Sequence, residues 1–273
     1  MHRTLQRLAF AAALGLAALG SNASARAGDC RKAAIASLRS LSPDGAGVYD
    51  RVGDKSFFLE WITCDDVQLG LATAVHESVH YVTAHTDAYP LIDGGEVKRP
   101  RNVASLFAPS RMAGNFGKSD FVSTYLRPGQ ASSSSDFFYL LDELNAYSHD
   151  LNAAIDLQSL KPAGEQVGHR DGLAATMAFV ARYVETAQEK EPGSWDVLRH
   201  PEVAEAVSRI WNQAERVMVA SCGIPDFGIE DKGFIRRICE PAARSAMRGI
   251  LGRPSACPSR CLEETVSLGE AAD

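Results

Sequence analysis

The sequence predicts an α+β protein that is predominantly helical, with a small sheet in its N-terminal half and a helical C-terminal half. Three observations support this fold class. Apolar residues recur at helical spacing over several long segments. Only short runs in the first half have the aromatic and β-branched composition of strands. Hydrophobic residues make up 45% of the 273 residues, which is enough to build a sizeable core.

Six helices are predicted, each from apolar residues that repeat with a period near 3.6. They cover residues 29–41, about 66–85, 136 to about 160, 172–188, 201–220 and 234–251. Ser42-Pro43-Asp44-Gly45 ends the first, and Asp65 or Asp66 is expected to cap the second. The serines that close the loop over residues 128–135 are expected to cap the third, the most strongly patterned helix of the chain.

Three segments of the first half are predicted to be extended. Residues 56–62 (SFFLEWI) and 121–126 are strand candidates, because aromatic and β-branched residues dominate the first and recur in the second. Gly94-Gly95 lies between two short apolar runs and predicts a hairpin over residues 89–99.

The first 27 residues have the pattern of a secretory signal peptide. Two arginines precede an apolar run that ends at Leu19, and A-x-A cleavage sites follow it. Because this run is shorter than the ~20 residues that span a bilayer, we expect export to the periplasm or the cell exterior and no membrane span in the mature chain. Residues 28–261 are then expected to form the folded domain, and residues 262–273 a flexible tail.

The charge pattern argues against nucleic acid as a partner. The formal net charge is −6, and the lysines and arginines are scattered along the chain. No basic field is therefore available to hold a phosphate backbone.

Six cysteines lie beyond the signal, an even number that indicates up to three disulfides formed in an oxidising compartment. They are Cys30, Cys64, Cys222, Cys239, Cys257 and Cys261. We expect one disulfide between Cys30 and Cys64. The other four cysteines are expected to form disulfides that stabilise the C-terminal third of the chain. The less favoured alternative is that Cys257 and Cys261 form half of a metal site.

His76-Glu77-Ser78-Val79-His80 is an H-E-x-x-H sequence on the second predicted helix. Residues i and i+4 lie about 40° apart around a helix, so both imidazoles can reach one ion. Glu77, about 100° on from His76, can address a water molecule on that ion. The histidines flank the apolar stripe of the helix, where a half-buried zinc site is expected. The alternative is a pair of surface histidines that happen to flank a glutamate.

Catalytic zinc requires a third protein ligand, which the helix of the motif does not supply. The metzincin pattern places a glycine at residue 83 and a histidine at residue 86, and this chain has Thr83 and Thr86 there. On a continuing helix His85 points about 140° away from His80. The third ligand is therefore expected from a second helix.

The predicted helix over residues 136–160 offers three candidates for this ligand, Asp142, Glu143 and His149. At about 100° per residue, Glu143 falls on the flank of the buried apolar stripe, as the two histidines do on theirs. Asp142 and His149 are expected on the solvent side. Glu143 is therefore the expected ligand, and a partly buried glutamate paired with an arginine is the alternative.

H-E-x-x-H followed on a later helix by Glu143-Leu-Asn-Ala146 resembles the gluzincin branch of zinc metallopeptidases. The resemblance covers these two helices and implies a zincin-like domain, one Zn²⁺ per chain held by His76, His80 and Glu143, and a peptide or protein substrate. Gluzincins often carry an aspartate four residues after the ligand glutamate, where it orients a zinc histidine. Here Tyr147 stands at that position, and Asp150 is expected to take over part of that role.

The implied mechanism is metal-assisted hydrolysis of a peptide bond. Zinc would lower the pKa of a water molecule, and Glu77 would accept its proton and pass it to the leaving amine. One further donor is expected to face the oxyanion. The candidates for this donor are Tyr147, His149, His169 and Arg170.

The resemblance also implies that the 56–62 strand offers its edge to an extended peptide and that the 89–99 hairpin borders the cleft. The residues between His80 and Glu143 are rich in glycine and serine, and both a mobile flap and an inert insertion are open interpretations of them.

Two other classes of function compete with the peptidase. A zinc hydrolase of another bond, such as a cell-wall or small-amide linkage, would use the same catalytic residues. A catalytically inactive secreted binding protein on the same fold would not need Glu77, since a structural zinc site has no general base and prefers a fourth protein ligand.

Overall fold

The computed structural model describes residues 28–101, 103–104 and 106–263. The expected signal peptide and residues 264–273 of the expected tail lie outside these residues. The described part is mostly helical and contains one two-stranded antiparallel sheet in its first half, which confirms the predicted fold class at this level. None of the helices in the described part is both long and apolar enough to cross a bilayer.

The first half carries short helices around one long helix and the hairpin. In chain order the elements are α1 (28–41), α2 (Pro43–Arg51), α3 (Lys55–Glu60), α4 (Val67–Thr86), β1 (Ala88–Pro90), β2 (Glu96–Lys98) and α5 (Asp120–Tyr125). The second half is helical throughout. Its elements are α6 (Phe137–Asp156), α7 (His169–Lys190), α8 (Pro192–Leu198), α9 (Pro201–Ser221), α10 (Asp231–Cys239) and α11 (Pro241–Leu251).

Local chemistry explains the elements that the sequence predicted well. The side chain of Asp66 accepts a hydrogen bond from the backbone N–H of Leu69 and so begins α4. In α6 the same role falls to Asp136 rather than to the preceding serines. The hairpin is confirmed, with Tyr89 opposite Val97, and Gly94 takes the positive φ of 82° that its turn requires.

The two predicted strands outside the hairpin are wrong, because both segments are capped helices. Asp54 accepts a hydrogen bond from the backbone N–H of Ser56 at the start of α3, and Ser119 caps α5 in the same way. Phe58 and Ile62, four residues apart, are both buried. Composition alone does not distinguish a short buried helix from a strand. Here the capping side chains of Asp54 and Ser119 favour the helix. The peptide-binding edge expected over residues 56–62 is therefore wrong as well.

Prolines account for three further differences from the predicted helices. Pro43 and Pro192 each occupy the first turn of a helix that was not predicted, where the missing N–H costs nothing. The helix predicted over residues 234–251 is divided at Pro241, which cannot continue α10 and begins α11 instead.

Three disulfides join all six cysteines of the chain, which all lie in the described part. Cys30 pairs with Cys64, as predicted, and ties α1 to the segment before α4. The remaining pairs are Cys222–Cys261 and Cys239–Cys257, which close the C-terminal third. The alternative of a half metal site at Cys257 and Cys261 is therefore wrong.

The core has two parts, and α4 and α6 contribute to both. The larger gathers apolar side chains of α6, α7, α9, α10 and α11, and the smaller lies between α1–α4 and α6. Ala146 of α6 is buried in the smaller part, where its small side chain allows the two helices to approach closely. This close pair of helices positions the candidate site.

Candidate metal centre

Helices α4 and α6 bring together the side chains of His76, His80 and Glu143. The Nε2 atoms of the two histidines are 3.3 Å apart. Oε2 of Glu143 lies 3.4 Å from Nε2 of His80 and 3.7 Å from Nε2 of His76. Among the described residues, these three form the one group of His, Cys, Asp and Glu side chains whose ligand atoms converge in this way.

This spacing fits a tetrahedral metal ion. Ligands at about 2.0–2.1 Å from zinc in a tetrahedron are about 3.3 Å from one another, close to the three distances found here. Oε2 of Glu143 is buried and has no hydrogen bond of good geometry among the described residues, where the two imidazoles lie 3.4 and 3.7 Å away, and an ion between the three groups would satisfy it. Two imidazoles and one carboxylate are also the donor set of many catalytic zinc sites.

The charges of the cluster are coupled. Burial lowers the pKa of His80, but the carboxylates of Asp142 and Glu143 outweigh this effect and raise the pKa to about 10. Burial raises the pKa of Glu143, and the two histidines outweigh it and lower the pKa to about 2. The metal-free cluster is therefore an ion pair, and an ion that binds His80 must displace a proton from it.

Asp142 is not on the solvent side, as the helical pattern predicted. It is buried, and its Oδ2 is 2.7 Å from Nδ1 of His80. Helices α4, α7 and α9 all pack against α6, so more than one face of this helix is buried. A single apolar stripe therefore does not identify its exposed side.

His149 is likewise buried and not on the solvent side, and it is not a metal ligand here. Its Nε2–H donates a hydrogen bond of 3.0 Å to the carbonyl oxygen of Pro90 in β1. Asn145, one turn earlier on α6, donates to the same oxygen. The two side chains hold the hairpin on α6, and the burial lowers the pKa of His149 to about 4.

This pKa predicts a loss of stability in mild acid. The folded pKa of His149 lies below its unfolded value of about 6.5, so the unfolded chain takes up a proton first as the pH falls. Chemical denaturation in the presence of a chelator should therefore show the free energy of unfolding falling by about 3 kcal/mol from pH 6.5 to pH 4 through this group. His149→Gln should remove that part of the slope, and equal slopes in both proteins would contradict the assignment.

Asp150 lies between two histidines, one turn beyond Ala146. Its Oδ1 is 3.2 Å from Nδ1 of His169, and its Oδ2 is 3.9 Å from Nδ1 of His76. His169 is the first residue of α7, and its Nε2 is buried without a hydrogen-bond partner in the described part of the chain. His169 therefore contacts Asp150 and is not part of the group of converging ligand atoms.

Tyr147 packs beside the cluster and pairs with a tyrosine that the sequence analysis missed. Its ring lies edge-on to the ring of His76 with centroids 4.4 Å apart. Its hydroxyl is 2.6 Å from the hydroxyl of Tyr125, at the end of α5. A Cβ at Gly172 of α7 would lie 2.0 Å from the Tyr147 ring, so only glycine leaves room for this tyrosine.

Both phenols stay protonated at neutral pH. Burial and the nearby carboxylate of Glu143 raise the pKa of Tyr125, and a smaller contribution comes from Glu77. Burial and the Tyr125 hydroxyl raise the pKa of Tyr147.

Arg170 is engaged elsewhere. Its Nε donates to Oδ2 of Asp231 at 2.5 Å, and its Nη1 donates to the carbonyl oxygens of Ser221 and Ile224. Both partners of the ion pair are buried. These contacts hold the start of α7 to the C-terminal helices, so the geometry does not support Arg170 as an oxyanion donor.

The residues between the two ligand-bearing helices include ordered, packed elements. The three residues of β1 are buried, and the hydroxyl of Tyr89 donates to the carbonyl oxygen of Phe138. Val122 and Leu126 of the α5 region are buried as well. This segment therefore packs against α6 and carries Tyr125 to the cluster.

Strand β2 borders a cleft of about 1080 Å³. Its lining comes from β2, the residues that follow it, α8 and the start of α9, and includes Arg99, Asp196 and His200. None of His76, His80 and Glu143 lines this cleft. The volume of a cleft is a weaker guide to function than the chemistry of the groups that converge, so the metal cluster is the candidate site.

No protein-family model, curated protein or solved structure matches this chain significantly.

Proposed function

We propose that this protein is an exported, zinc-dependent hydrolase that cleaves peptide bonds. The observation that carries the proposal is the convergence of two imidazole nitrogens and one carboxylate oxygen within 3.3–3.7 Å, with a glutamate directly beside the first histidine. A purely structural site would favour a fourth protein ligand, and the described part of the chain offers none within reach. The resemblance to gluzincins supports the choice of the peptide bond and of a zincin-like fold.

When bound, zinc would supply a Lewis acid that lowers the pKa of a water molecule and polarises the scissile carbonyl. His76, His80 and Glu143 would hold the ion. Glu77 would accept a proton from the water and deliver it to the leaving amine. Tyr125 is our candidate donor to the oxyanion, because its hydroxyl is 2.6 Å from that of Tyr147, whose ring packs against His76, and because its phenol stays protonated.

Export is supported by the cysteines. All six are joined in disulfides, which persist in an oxidising compartment. We therefore propose that the protein acts in the periplasm or outside the cell.

The test of the proposal is metal content. Purified wild-type protein supplied with zinc should contain about one ion per chain, and Glu143→Ala should bind it more than about 100-fold more weakly, since it loses a ligand. Glu189→Ala, a change at an exposed glutamate of α7, is the matched control and should bind as the wild type does. Elemental analysis and chelator competition measure both quantities.

Two outcomes would contradict the proposal in different ways. A wild-type protein that takes up no zinc would overturn the enzyme assignment. Full zinc binding by Glu143→Ala would leave a metal site but remove Glu143 from it.

A further inference from the structure

His80 is held from two sides by consecutive residues of α6. Its Nδ1 is 2.7 Å from Oδ2 of Asp142, and its Nε2 is 3.4 Å from Oε2 of Glu143. Asp142 is buried, and its other carboxylate oxygen has no hydrogen-bond partner in the described part of the chain. One turn of α6 therefore presents two carboxylates to opposite edges of one imidazole ring.

The Asp142 contact decides which nitrogen of His80 faces the cluster as a ligand. A carboxylate accepts a hydrogen bond from Nδ1–H, which leaves the lone pair of neutral imidazole on Nε2. Nε2 is the atom that converges with Nε2 of His76 and with Glu143. The short contact also fixes the rotation of the ring, so the ligand atom is positioned before any ion arrives.

His76 has no equivalent support. The nearest carboxylate to its Nδ1 is Asp150, at 3.9 Å, which is too long for a hydrogen bond. Asp150 is instead hydrogen-bonded to Nδ1 of His169 at 3.2 Å, and Nδ1 of His76 is buried without a partner among the described residues. The two histidines of the motif therefore differ in how firmly the protein orients them.

We propose that Asp142 is the principal positioning residue of the metal centre: it orients His80 through Nδ1 and thereby sets the affinity for zinc, and Asp150 contributes less through His76. This inference rests on the proposed zinc site and adds to it a residue that does not touch the ion. The helical pattern of α6 alone would leave Asp142 in solvent, so only the packing of α4 on α6 reveals the role.

The test is zinc affinity, measured by chelator competition on Asp142→Ala, Asp142→Asn, Asp150→Asn and the wild type. Removal of a carboxylate that orients a metal histidine weakens binding by about 10–100-fold, and we expect this loss in Asp142→Ala. Asp142→Asn keeps an oxygen that accepts from Nδ1–H and should recover part of the affinity. Asp150→Asn should lose less than Asp142→Ala.

Asp156→Asn is the matched control, because Asp156 lies on the same helix and bonds to Ser42 instead of a histidine. It should bind zinc as the wild type does. The absorption spectrum of the Co²⁺-loaded proteins gives a second readout, since a misoriented His80 changes the ligand field and a remote loss of stability does not. If Asp142→Ala does not fold, the zinc affinity of Asp142→Asn tests the proposal, and we expect that affinity to be at least threefold weaker than in the wild type.

The outcomes separate this inference from the proposed function. Wild-type zinc affinity within twofold in both Asp142 variants, with an unchanged cobalt spectrum, would overturn the positioning role and leave the zinc site intact. A lower melting temperature of the metal-free variants without a change in zinc affinity would also overturn it, since Asp142 would then serve stability alone. A wild-type protein that binds neither zinc nor cobalt would overturn both proposals.

Discussion

Replacing Glu77 with glutamine is expected to lower peptide hydrolysis by about 10²–10⁴-fold while zinc binding is retained. Glutamine has nearly the shape of glutamate but cannot accept the proton of the attacking water. Glu77 follows His76 on α4 and is not among the three side chains whose ligand atoms converge, so its loss should leave the ion in place. Initial rates on a library of quenched fluorescent peptides, together with zinc content, measure the two effects.

Glu189→Gln serves as the control for this substitution, because it makes the same chemical change at an exposed position of α7. Its rate should equal that of the wild type. An unchanged rate in Glu77→Gln would remove Glu77 as the general base, and loss of zinc would make it a ligand instead. If the zinc-loaded wild type cleaves no peptide, the substrate class is wrong, and other amide bonds are the next to assay.

Replacing Arg170 with alanine is expected to reduce the free energy of unfolding by about 3–5 kcal/mol. The change leaves the buried carboxylate of Asp231 without its partner and removes the guanidinium donor from two carbonyl oxygens, which each keep a backbone N–H donor. A loss of this size is a large share of the total stability of a folded domain. Urea or guanidinium denaturation of the oxidised protein measures it.

Arg237→Ala is the comparison for Arg170→Ala, because Arg237 also pairs with an acidic residue, Glu240, but at the surface. Exposed pairs contribute little, and we expect a change below about 1 kcal/mol. Equal losses in the two variants would show that burial does not set the contribution of the Arg170–Asp231 pair.

The sequence predicted the long helices well because each carries apolar residues at helical spacing, and because α4 and α6 also begin at an aspartate cap. It predicted the short elements poorly. Residues 56–62 and 121–126 have the composition of strands, yet Asp54 and Ser119 cap them as helices and their apolar residues are buried four positions apart. Over one or two turns, such local hydrogen bonds outweigh β-propensity.

Among the candidate site residues, the pattern of the sequence brought out His76, Glu77, His80 and Glu143. The i, i+4 spacing and a position on the flank of an apolar stripe are properties of a single helix. They can therefore be predicted from the sequence without knowledge of the tertiary structure. The sequence did not identify Tyr125 as a site residue, because its segment was predicted to be a strand. Only the packing of α5 brings its hydroxyl to Tyr147. The residues between His80 and Glu143 contain several tyrosines, and nothing in the sequence around Tyr125 distinguishes it from the others.

The sequence by itself determined the predominantly helical class, the hairpin at Gly94-Gly95, the even set of cysteines and the pair of helices that carry the proposed ligands. These features depend on residues close together in the chain. Tertiary structure decided which faces of α6 are buried, and hence that Asp142 contacts His80 and that His149 holds the hairpin. The packing of α10 against α7 likewise decided that Arg170 binds Asp231. The physical reason is that a helix covered by neighbours on several sides has no single buried stripe, so its polar contacts depend on residues far away in the sequence.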